Sequence, residues 1–317
     1  MHSDSRLYYA YVVAAATLWG TLGVLAKWLY AYQLSPLSVV WVRAVGAFIG
    51  LLVLLAIWRP QLLKVSPGDL PFLAGYGLIS VAAFTLLYFE TIAASTVGAA
   101  AVLLYSAPVF VTLLAFLLFG EPLGRGKLLA LGIATVGLVL VVGGYDPARL
   151  RVTPVAIATG LGSGLTYGLY SIFGKVALSK YSSWTVVLYT LGFGGFFLSL
   201  PRGPAPGIAL QQPILAWALL ASVAAITIIA FGSYTLGLSR IEAGRASIVC
   251  TLEPVVASAL GQLAFGEVMG LAQVLGAGLV LLGAAATQLN GRTGSLPGAV
   301  ASAAGVASLA EDESAGP

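Results

Sequence analysis

The stretch GAAAVLLYSAPVFVTLLAFLLFGEPLG at 98–124 recurs in related form as GRASIVCTLEPVVASALGQLAFGEVMG at 244–270. Each copy is an apolar run with a proline at its eleventh position and a Phe-Gly-Glu motif near its end. The copies are offset by 146 residues, so that Pro108 corresponds to Pro254. A fixed period close to half the chain length indicates the duplication of one large unit.

The duplication extends beyond these two stretches. Upstream, Trp19 corresponds to Tyr167 at an offset of 148 residues. Downstream, the glycines of the last apolar run in the first half recur in the last apolar run of the second half. The sequence therefore predicts two repeats, at 8–143 and 153–289, followed by a disordered C-terminal tail at 290–317.

Composition decides the broad class of protein. Hydrophobic residues make up 59% of the chain, charged residues 8%, and the mean hydropathy is +0.99. Soluble domains carry about 25% charged residues, and a helix needs about 20 apolar residues to cross a bilayer. The apolar runs are continuous rather than alternating, which favours helices over barrel strands. We therefore expect an all-α integral membrane protein with ten transmembrane helices, five in each repeat. The predicted helices are 8–30, 36–58, 70–93, 97–119, 125–143, 153–178, 183–200, 213–237, 244–265 and 270–289.

The sequence contains few of the side chains that an enzyme active site or a metal site requires. Its single histidine is His2 and its single cysteine is Cys250. An intramembrane enzyme would need a clustered set of catalytic or metal-binding side chains, and ATP binding a glycine-rich loop ending in Gly-Lys-Ser/Thr; the sequence has neither. The pI of 9.2 comes from charges in short loops, which indicates topology rather than nucleic-acid binding. We expect no enzymatic activity and no cofactor. The expected partners are a small-molecule substrate and the lipid bilayer, for a monomer or homodimer.

Basic residues between the apolar runs predict the orientation. With a cytoplasmic N-terminus, nine of them lie on the inner side and three on the outer side, and an inner excess is the usual bias. We therefore expect a multi-pass protein of the inner (plasma) membrane with both termini in the cytoplasm. Because five helices per repeat is an odd number, the second repeat enters from the opposite face, which predicts the inverted repeat of alternating-access carriers. The inner set is Arg6, Arg59, Lys64, Arg125, Lys127, Lys180, Arg240, Arg245 and Arg292, and the outer set is Arg149, Arg151 and Arg202.

Several of these motifs together resemble the EamA-type transporters of the drug/metabolite transporter superfamily. The resemblance covers residues 8–289 and implies two inverted five-helix units around a central cavity. Members of that family move amino acids, other metabolites or drugs, often outward, and the YddG-like amino-acid exporters are the branch that we favour. The matching residues are Trp19-Gly20, Arg43, Pro108, Phe119-Gly120-Glu121, Leu252-Glu253-Pro254-Val255 and Phe265-Gly266-Glu267.

The function expected from the repeat and from the resemblance is secondary transport. The chain would export small metabolites, with amino acids that carry aromatic or apolar side chains favoured, across the inner membrane by alternating access. One alternative is an efflux carrier of the same fold for drugs or other metabolites. The alternative from a different class is a channel.

Charged residues inside the predicted spans are the first candidates for the site, because a charge at the centre of a bilayer costs about 2.5–3.5 kcal/mol on insertion scales. Glu90 is either a cavity carboxylate that binds substrate or a helix-end carboxylate near the outer surface. Glu253 either binds substrate or braces the kink at Pro254, with Arg43 or a backbone donor as its partner.

Aromatic residues near the middle of the spans are the second group of candidates. Tyrosine and tryptophan prefer the membrane interfaces, and a buried hydroxyl needs a partner. A cavity wall that stacks on ligands is therefore one interpretation, and simple packing of the bundle is the other. The candidates are Trp19, Tyr88 and Tyr105 from the first repeat, and Tyr167, Tyr170 and Tyr234 from the second.

A third group is predicted to be structural, and Arg43, the suggested partner of Glu253, belongs to it. Pro108 and Pro254 remove a backbone donor and should bend their helices at equivalent depths. Glu121 and Glu267 each end an apolar run, and we expect each to lie near the positive N-terminus of the helix that follows it. Small residues such as Gly164 and Gly168 permit the close approach of helices.

We predict that a reporter fused after Asn290 lies in the cytoplasm, because the inner side holds most of the basic residues. A truncated fusion after Asp146, which would follow five helices, should instead report from the periplasm. Paired alkaline phosphatase and green fluorescent protein fusions measure both positions. A periplasmic signal from the Asn290 fusion would contradict the topology and the inverted repeat together.

Overall fold

The computed structural model describes residues 2–146, 153–200, 212–266 and 269–289, and it contains helices but no strand within those ranges. This confirms the predicted all-α fold. The helices are α1 His2–Tyr30, α2 Pro36–Trp58, α3 Leu70–Gly77, α4 Phe84–Ala94, α5 Val97–Leu104, α6 Ala107–Phe119, α7 Arg125–Val141, α8 Pro154–Leu178, α9 Ser183–Ser199, α10 Ile214–Leu238, α11 Ala243–Cys250, α12 Leu252–Phe265 and α13 Leu271–Leu289.

Three predicted helices are interrupted in the structure. A π-helical turn, Leu78–Ala83, joins α3 to α4. One predicted helix is divided into α5 and α6, and another into α11 and α12. Among the described residues, six segments are long and apolar enough to span a membrane, and the count of ten crossings stays a prediction. The six segments are Arg6–Tyr30, Pro36–Trp58, Pro67–Ala94, Val97–Phe119, Ile214–Leu238 and Ala243–Phe265.

Local sequence explains where many helices begin and end. The hydroxyl groups of four N-cap residues, Ser35, Thr96, Thr153 and Ser182, accept a hydrogen bond from the backbone three residues later, which satisfies a free amide of the first turn. Helices α6 and α12 both end at the glycine of the repeated Phe-Gly-Glu motif. Gly120 and Gly266 have φ values of 66° and 68°, a left-handed conformation that glycine adopts without a steric cost.

The helices of the first half pack mainly on those of the second. Helix α1 lies against α10 and α12, whereas α8 lies against α4, α5 and α6. In addition, α2 packs on α9, and α7 packs on α13. The packing is therefore reciprocal: α1 of the first half packs on helices of the second half, and its repeat equivalent α8 packs on helices of the first half. The largest buried cluster contains side chains from both halves.

Glycines allow the backbones of α7 and α13 to approach each other closely. A Cβ atom added at Gly137 would lie 2.7 Å from the carbonyl oxygen of Gly276, and one added at Gly276 would lie 2.6 Å from the carbonyl oxygen of Gly137. By contrast, a Cβ atom added at Gly132 would have nothing within 4 Å. The α7–α13 contact is thus set by two mutually facing glycines.

We predict that Gly137→Ala destabilises the protein by about 1–3 kcal/mol, because the new methyl group has no space and the two helices must separate. Gly132→Ala is the matched control on the same helix and should leave stability unchanged or slightly higher. The apparent unfolding temperature in detergent, followed by size-exclusion chromatography, measures both variants. Equal unfolding temperatures for the two variants would refute the contact.

Candidate functional site

A cavity of about 100 Å³ lies inside the bundle, between the two halves. Its wall is mostly apolar and aromatic, and one cation and one carboxylate, Arg43 and Glu253, are part of it. Such a wall, with a few polar groups placed in it, is typical of small-molecule sites. The lining residues are Trp19, Arg43, Ser80, Val81, Phe84, Leu104, Tyr105, Ala107, Pro108, Val111, Tyr167, Gly168, Tyr170, Ser171, Phe231, Tyr234, Ser247, Cys250, Thr251 and Glu253.

Most of the predicted site residues meet at this cavity, but Tyr88 and Glu90 do not. The residues that line it are Trp19, Tyr105, Tyr167, Tyr170, Tyr234 and Glu253. Tyr88 is half-buried behind the wall, where its ring stacks on Phe84 with 6.2 Å between the centroids. Glu90 is exposed on α4 and does not line the cavity.

Two of the three interruptions, between α5 and α6 and between α11 and α12, lie at the cavity at equivalent positions of the two repeats. Helix α5 ends before Tyr105, and α11 ends before Thr251, which is 146 residues further along the chain. Pro108 and Pro254 stand within the first three residues of the helices that follow, where an amide would have no helical partner. Each helix is therefore interrupted beside its proline, and the predicted bend at equivalent depths stays a prediction.

Glycines allow α8 to pack closely on the first break, between α5 and α6, and α1 to pack closely on the second break, between α11 and α12. A Cβ atom added at Gly164 would lie 2.5 Å from Ser106 Oγ, at the first break, and one added at Gly168 would lie 2.9 Å from Val111 Cγ2. At the second break, a Cβ atom added at Gly20 would lie 2.9 Å from the carbonyl oxygen of Glu253. The small residues of α1 and α8 thus fit against the broken helices.

Glu253 lies in the first turn of α12, so its carboxylate is near the positive end of that helix dipole. The Tyr167 hydroxyl donates a hydrogen bond of 3.3 Å to Glu253 Oε2. Arg43 faces the same cavity from α2, but no salt bridge joins it to Glu253 within the described ranges. The predicted pair of Glu253 with Arg43 is therefore wrong as a direct contact, because Tyr167 is the nearer donor.

The aromatic wall is one continuous cluster from α1, α8 and α10. Trp19 lies 5.2 Å from Phe231 and 5.3 Å from Tyr234, measured between ring centroids. Tyr170 lies 5.1 Å from Phe231 and 5.9 Å from Tyr234. The Tyr234 hydroxyl is hydrogen-bonded to that of Ser171 at 2.6 Å. These rings offer flat apolar surface together with fixed hydroxyl groups.

Sequence reasoning missed several lining residues. Thr251 could have been found, because it is the repeat equivalent of Tyr105. Phe231 lies three residues before Tyr234 and therefore shares its helical face, which was also a usable signal. Ser80 had no signal, because a π-helical turn changes which side chains face inward and local sequence does not predict such a turn.

Glu121 caps a helix, but not the one that follows it in the chain. Its Oε1 atom accepts a hydrogen bond of 2.6 Å from the amide of Ala243, and its Oε2 atom one of 3.2 Å from the amide of Gly244. The expectation that Glu121 serves α7 is therefore wrong, because the N-terminus of α11 in the other repeat supplies free amides to its buried carboxylate. Glu267 lies outside the described residues.

Around Glu121, a network of buried charges joins α7, α11 and the residue before α11. Lys127 Nζ lies 3.2 Å from Glu121 Oε2 and 2.5 Å from Glu242 Oε2, and its side chain is 1% exposed. Arg245 Nε lies 3.0 Å from Glu242 Oε2. Arg245 also donates from Nη1 to the carbonyl oxygen of Thr287 in α13, at 2.6 Å. The network lies at the end of the bundle where α1 begins and α13 ends.

Two charged residues of this network have uncharged repeat equivalents at the opposite end of the bundle. At the offset of 146 residues, Lys127 corresponds to Gln273, and Arg245 corresponds to Ala99. The helix at the network, α11, is also more buried than its repeat equivalent α5. Every residue of α11 is buried, whereas only three residues of the equivalent helix α5 are. Within the described part of the chain, the end that carries the network is therefore the more tightly packed one.

Comparison with known proteins agrees with this architecture. The EamA-like transporter family matches residues 6–143 and 154–288. The chain belongs to the EamA-like transporter family. It is therefore a multi-pass membrane protein of a transporter family, and its family and relatives indicate a transporter rather than an enzyme.

Individual relatives of this EamA-like transporter support the same assignment. An uncharacterized transporter of Archaeoglobus fulgidus is 30% identical over 277 residues, which cover 86% of this chain and 93% of the relative. The uncharacterized inner membrane transporter YicL of Salmonella typhimurium is 25% identical, with 89% and 95% covered. A solved crystal structure matches 89% of this chain and 96% of its own with a TM-score of 0.75. At 15% identity, that likeness shows the fold alone.

We predict that Lys127→Met destabilises the protein by about 3–5 kcal/mol, because two buried carboxylates lose their shared cation. Arg125→Met is the matched control, since Arg125 is exposed and lies two residues away on α7. Adding Glu242→Gln to Lys127→Met should recover part of the loss. Thermal unfolding in detergent measures all three variants, and a Lys127→Met protein as stable as Arg125→Met would exclude a structural role for the network.

Proposed function

We propose that this EamA-like transporter is a secondary carrier that exports amino acids across the inner membrane by alternating access. The observation that carries the proposal is the position of the cavity, which lies where both halves meet and beside two helices broken at equivalent depths. Carriers with inverted repeats bind their substrates near the midplane, at discontinuous helices of this kind.

The chemistry of the cavity supports an amino acid as the substrate. A zwitterion carries one charge of each sign, and the cavity offers Arg43 and Glu253. Among the described residues, Arg43 and Glu253 form no salt bridge with each other, so both charges can interact with a ligand. The aromatic wall would pack against an apolar or aromatic side chain. The residues that we propose to contact substrate are Trp19, Arg43, Tyr105, Tyr167, Tyr170, Tyr234 and Glu253.

The arrangement of the two halves supports alternating access. The reciprocal exchange of packing partners is what an inverted pair of repeats requires, and the family matches fall on two ranges close to the predicted repeats. One end of the bundle is closed by the charge network and by the fully buried α11. We propose that this end faces the cytoplasm, as the basic residues predict, and that the structure represents the state closed toward the cytoplasm.

We predict that Tyr105→Ala lowers amino-acid transport by about tenfold or more, because it removes a large contact surface from the cavity wall. Trp217→Ala is the control for bulk, since Trp217 is a partly exposed aromatic on α10 outside the cavity lining. Counterflow of labelled amino acids in proteoliposomes measures transport at matched protein incorporation. Saturable counterflow would support a carrier over a channel, and equal transport by both variants would remove Tyr105 from the site.

A panel of substrates separates amino-acid export from the alternatives. Counterflow with aromatic and aliphatic amino acids should be saturable and should show competition between them. Counterflow of apolar cationic drugs without any response to amino acids would instead favour an efflux carrier for drugs. Conductance without saturation in planar bilayers would favour a channel.

A further inference from the structure

Buried polar atoms without a protein partner are concentrated at the cavity. Within the described ranges, four buried side-chain polar atoms have no hydrogen-bond partner, and three of them belong to residues that line the cavity. An unsatisfied buried polar group is energetically costly, so such groups are rare in folded proteins unless a water, an ion or a ligand binds to them. The four atoms are Arg43 Nε, Ser80 Oγ, Thr112 Oγ1 and Tyr170 OH.

Two of these groups, those of Arg43 and Ser80, come from elements that are held together by α9. A Cβ atom added at Gly194 would lie 2.6 Å from Val81, and one added at the next residue, Gly195, would lie 2.8 Å from Val45. The adjacent glycines of α9 therefore pack closely on both α2 and the π-helical turn, which places these two elements next to each other. Ala44 and Val81 also share one buried cluster. Arg43 and Ser80, each next in sequence to a residue of that cluster, thus enter the cavity from neighbouring elements.

The polarity of the two groups defines what they can bind. Arginine Nε–H can only donate a hydrogen bond, and a serine hydroxyl can donate one. Arg43 Nε therefore requires an acceptor, a ligand with two oxygen acceptors can satisfy both groups, and the charge of Arg43 favours an anionic group. Glu253 does not fill this role, because it forms no salt bridge with Arg43 in the described chain and accepts from Tyr167 instead.

The π-helical turn makes this arrangement specific to one repeat. Among the described helices, the equivalent of the α3–α4 segment is α10, which is α-helical from Ile214 to Leu238. Ser80 is 4% exposed, so its hydroxyl is buried in the protein and reaches no solvent. Single π-helical turns within α-helices occur frequently at functional sites.

We infer that Arg43 and Ser80 form a carboxylate-binding pole of the cavity, with which the carrier selects substrates that carry a carboxylate over amines that lack one. The inference rests on the proposed function, since it assigns one end of the proposed amino-acid substrate to named residues. Glu253 and the Tyr167 hydroxyl then lie at the other pole, where the substrate ammonium group binds. The aromatic wall contacts the side chain between them.

The test compares three ligands of equal aromatic bulk on purified protein: L-phenylalanine, phenethylamine, which lacks the carboxylate, and 3-phenylpropionate, which lacks the amine. Isothermal titration measures their dissociation constants. The wild-type protein should bind phenylalanine most tightly and should prefer 3-phenylpropionate to phenethylamine. Ser80→Ala and Arg43→Lys should each weaken binding of phenylalanine by about tenfold or more, because a hydrogen bond to a charged group is lost, while phenethylamine binding stays unchanged.

Ser163→Ala is the matched control for the serine variant. Ser163 is equally buried in α8, but its hydroxyl donates to the carbonyl oxygen of Gly160 and it does not line the cavity. If Arg43→Lys fails to fold, Ser80→Ala alone decides the outcome, with its unfolding temperature compared with that of Ser163→Ala.

The two proposals fail in different ways. If Ser80→Ala and Arg43→Lys bind phenylalanine with the same ligand preference as the wild-type protein, the proposed carboxylate-binding pole is wrong. The proposal of amino-acid transport is not affected by that result. A wild-type preference for phenethylamine over 3-phenylpropionate also overturns the pole. Failure of the wild-type protein to bind any of the three ligands, together with no amino-acid counterflow, rejects both proposals.

Discussion

Every charge inside this bundle has to be compensated within the protein, because the hydrocarbon core of a bilayer offers neither water nor counter-ions. At one end of the bundle, buried charges of opposite sign contact each other directly. Lys127 contacts the carboxylates of Glu121 and Glu242, and Glu121 also accepts from the amides that begin α11. Because α6 and α7 belong to the first half and α11 to the second, these contacts fasten the halves to each other.

At the cavity, by contrast, polar groups are buried without being fully compensated by other protein groups. Arg43 and Glu253 enter it without a salt bridge to each other among the described residues, and Ser80 enters it with a free hydroxyl. Satisfied charges favour a single closed arrangement, whereas unsatisfied ones create a site for a ligand of complementary polarity. The carrier that we propose would need both, since one end must stay closed while the proposed central site exchanges its substrate.

Much of the fold and part of the site could be predicted from the sequence, for local reasons. The apolar runs fix the helices, and Pro108 and Pro254 mark the two breaks, because a missing amide acts within one turn. Residues next to those breaks, such as Tyr105 and Glu253, therefore could be assigned to the centre of the bundle. Glu90 shows the limit of that logic, since the same charge near a helix end lies on the exposed surface.

The sequence by itself determined the class of protein, the duplication, the helices and the depth of the breaks, because hydrophobicity, proline and glycine act over a few residues. Only the tertiary structure decided the partners of the charges. Glu121 caps α11 rather than α7, and Glu253 takes Tyr167 rather than Arg43, since the nearest free donor in space belongs to a distant part of the chain. The π-helical turn that brings Ser80 into the cavity was likewise decided by packing, where Val81 meets Gly194 of α9.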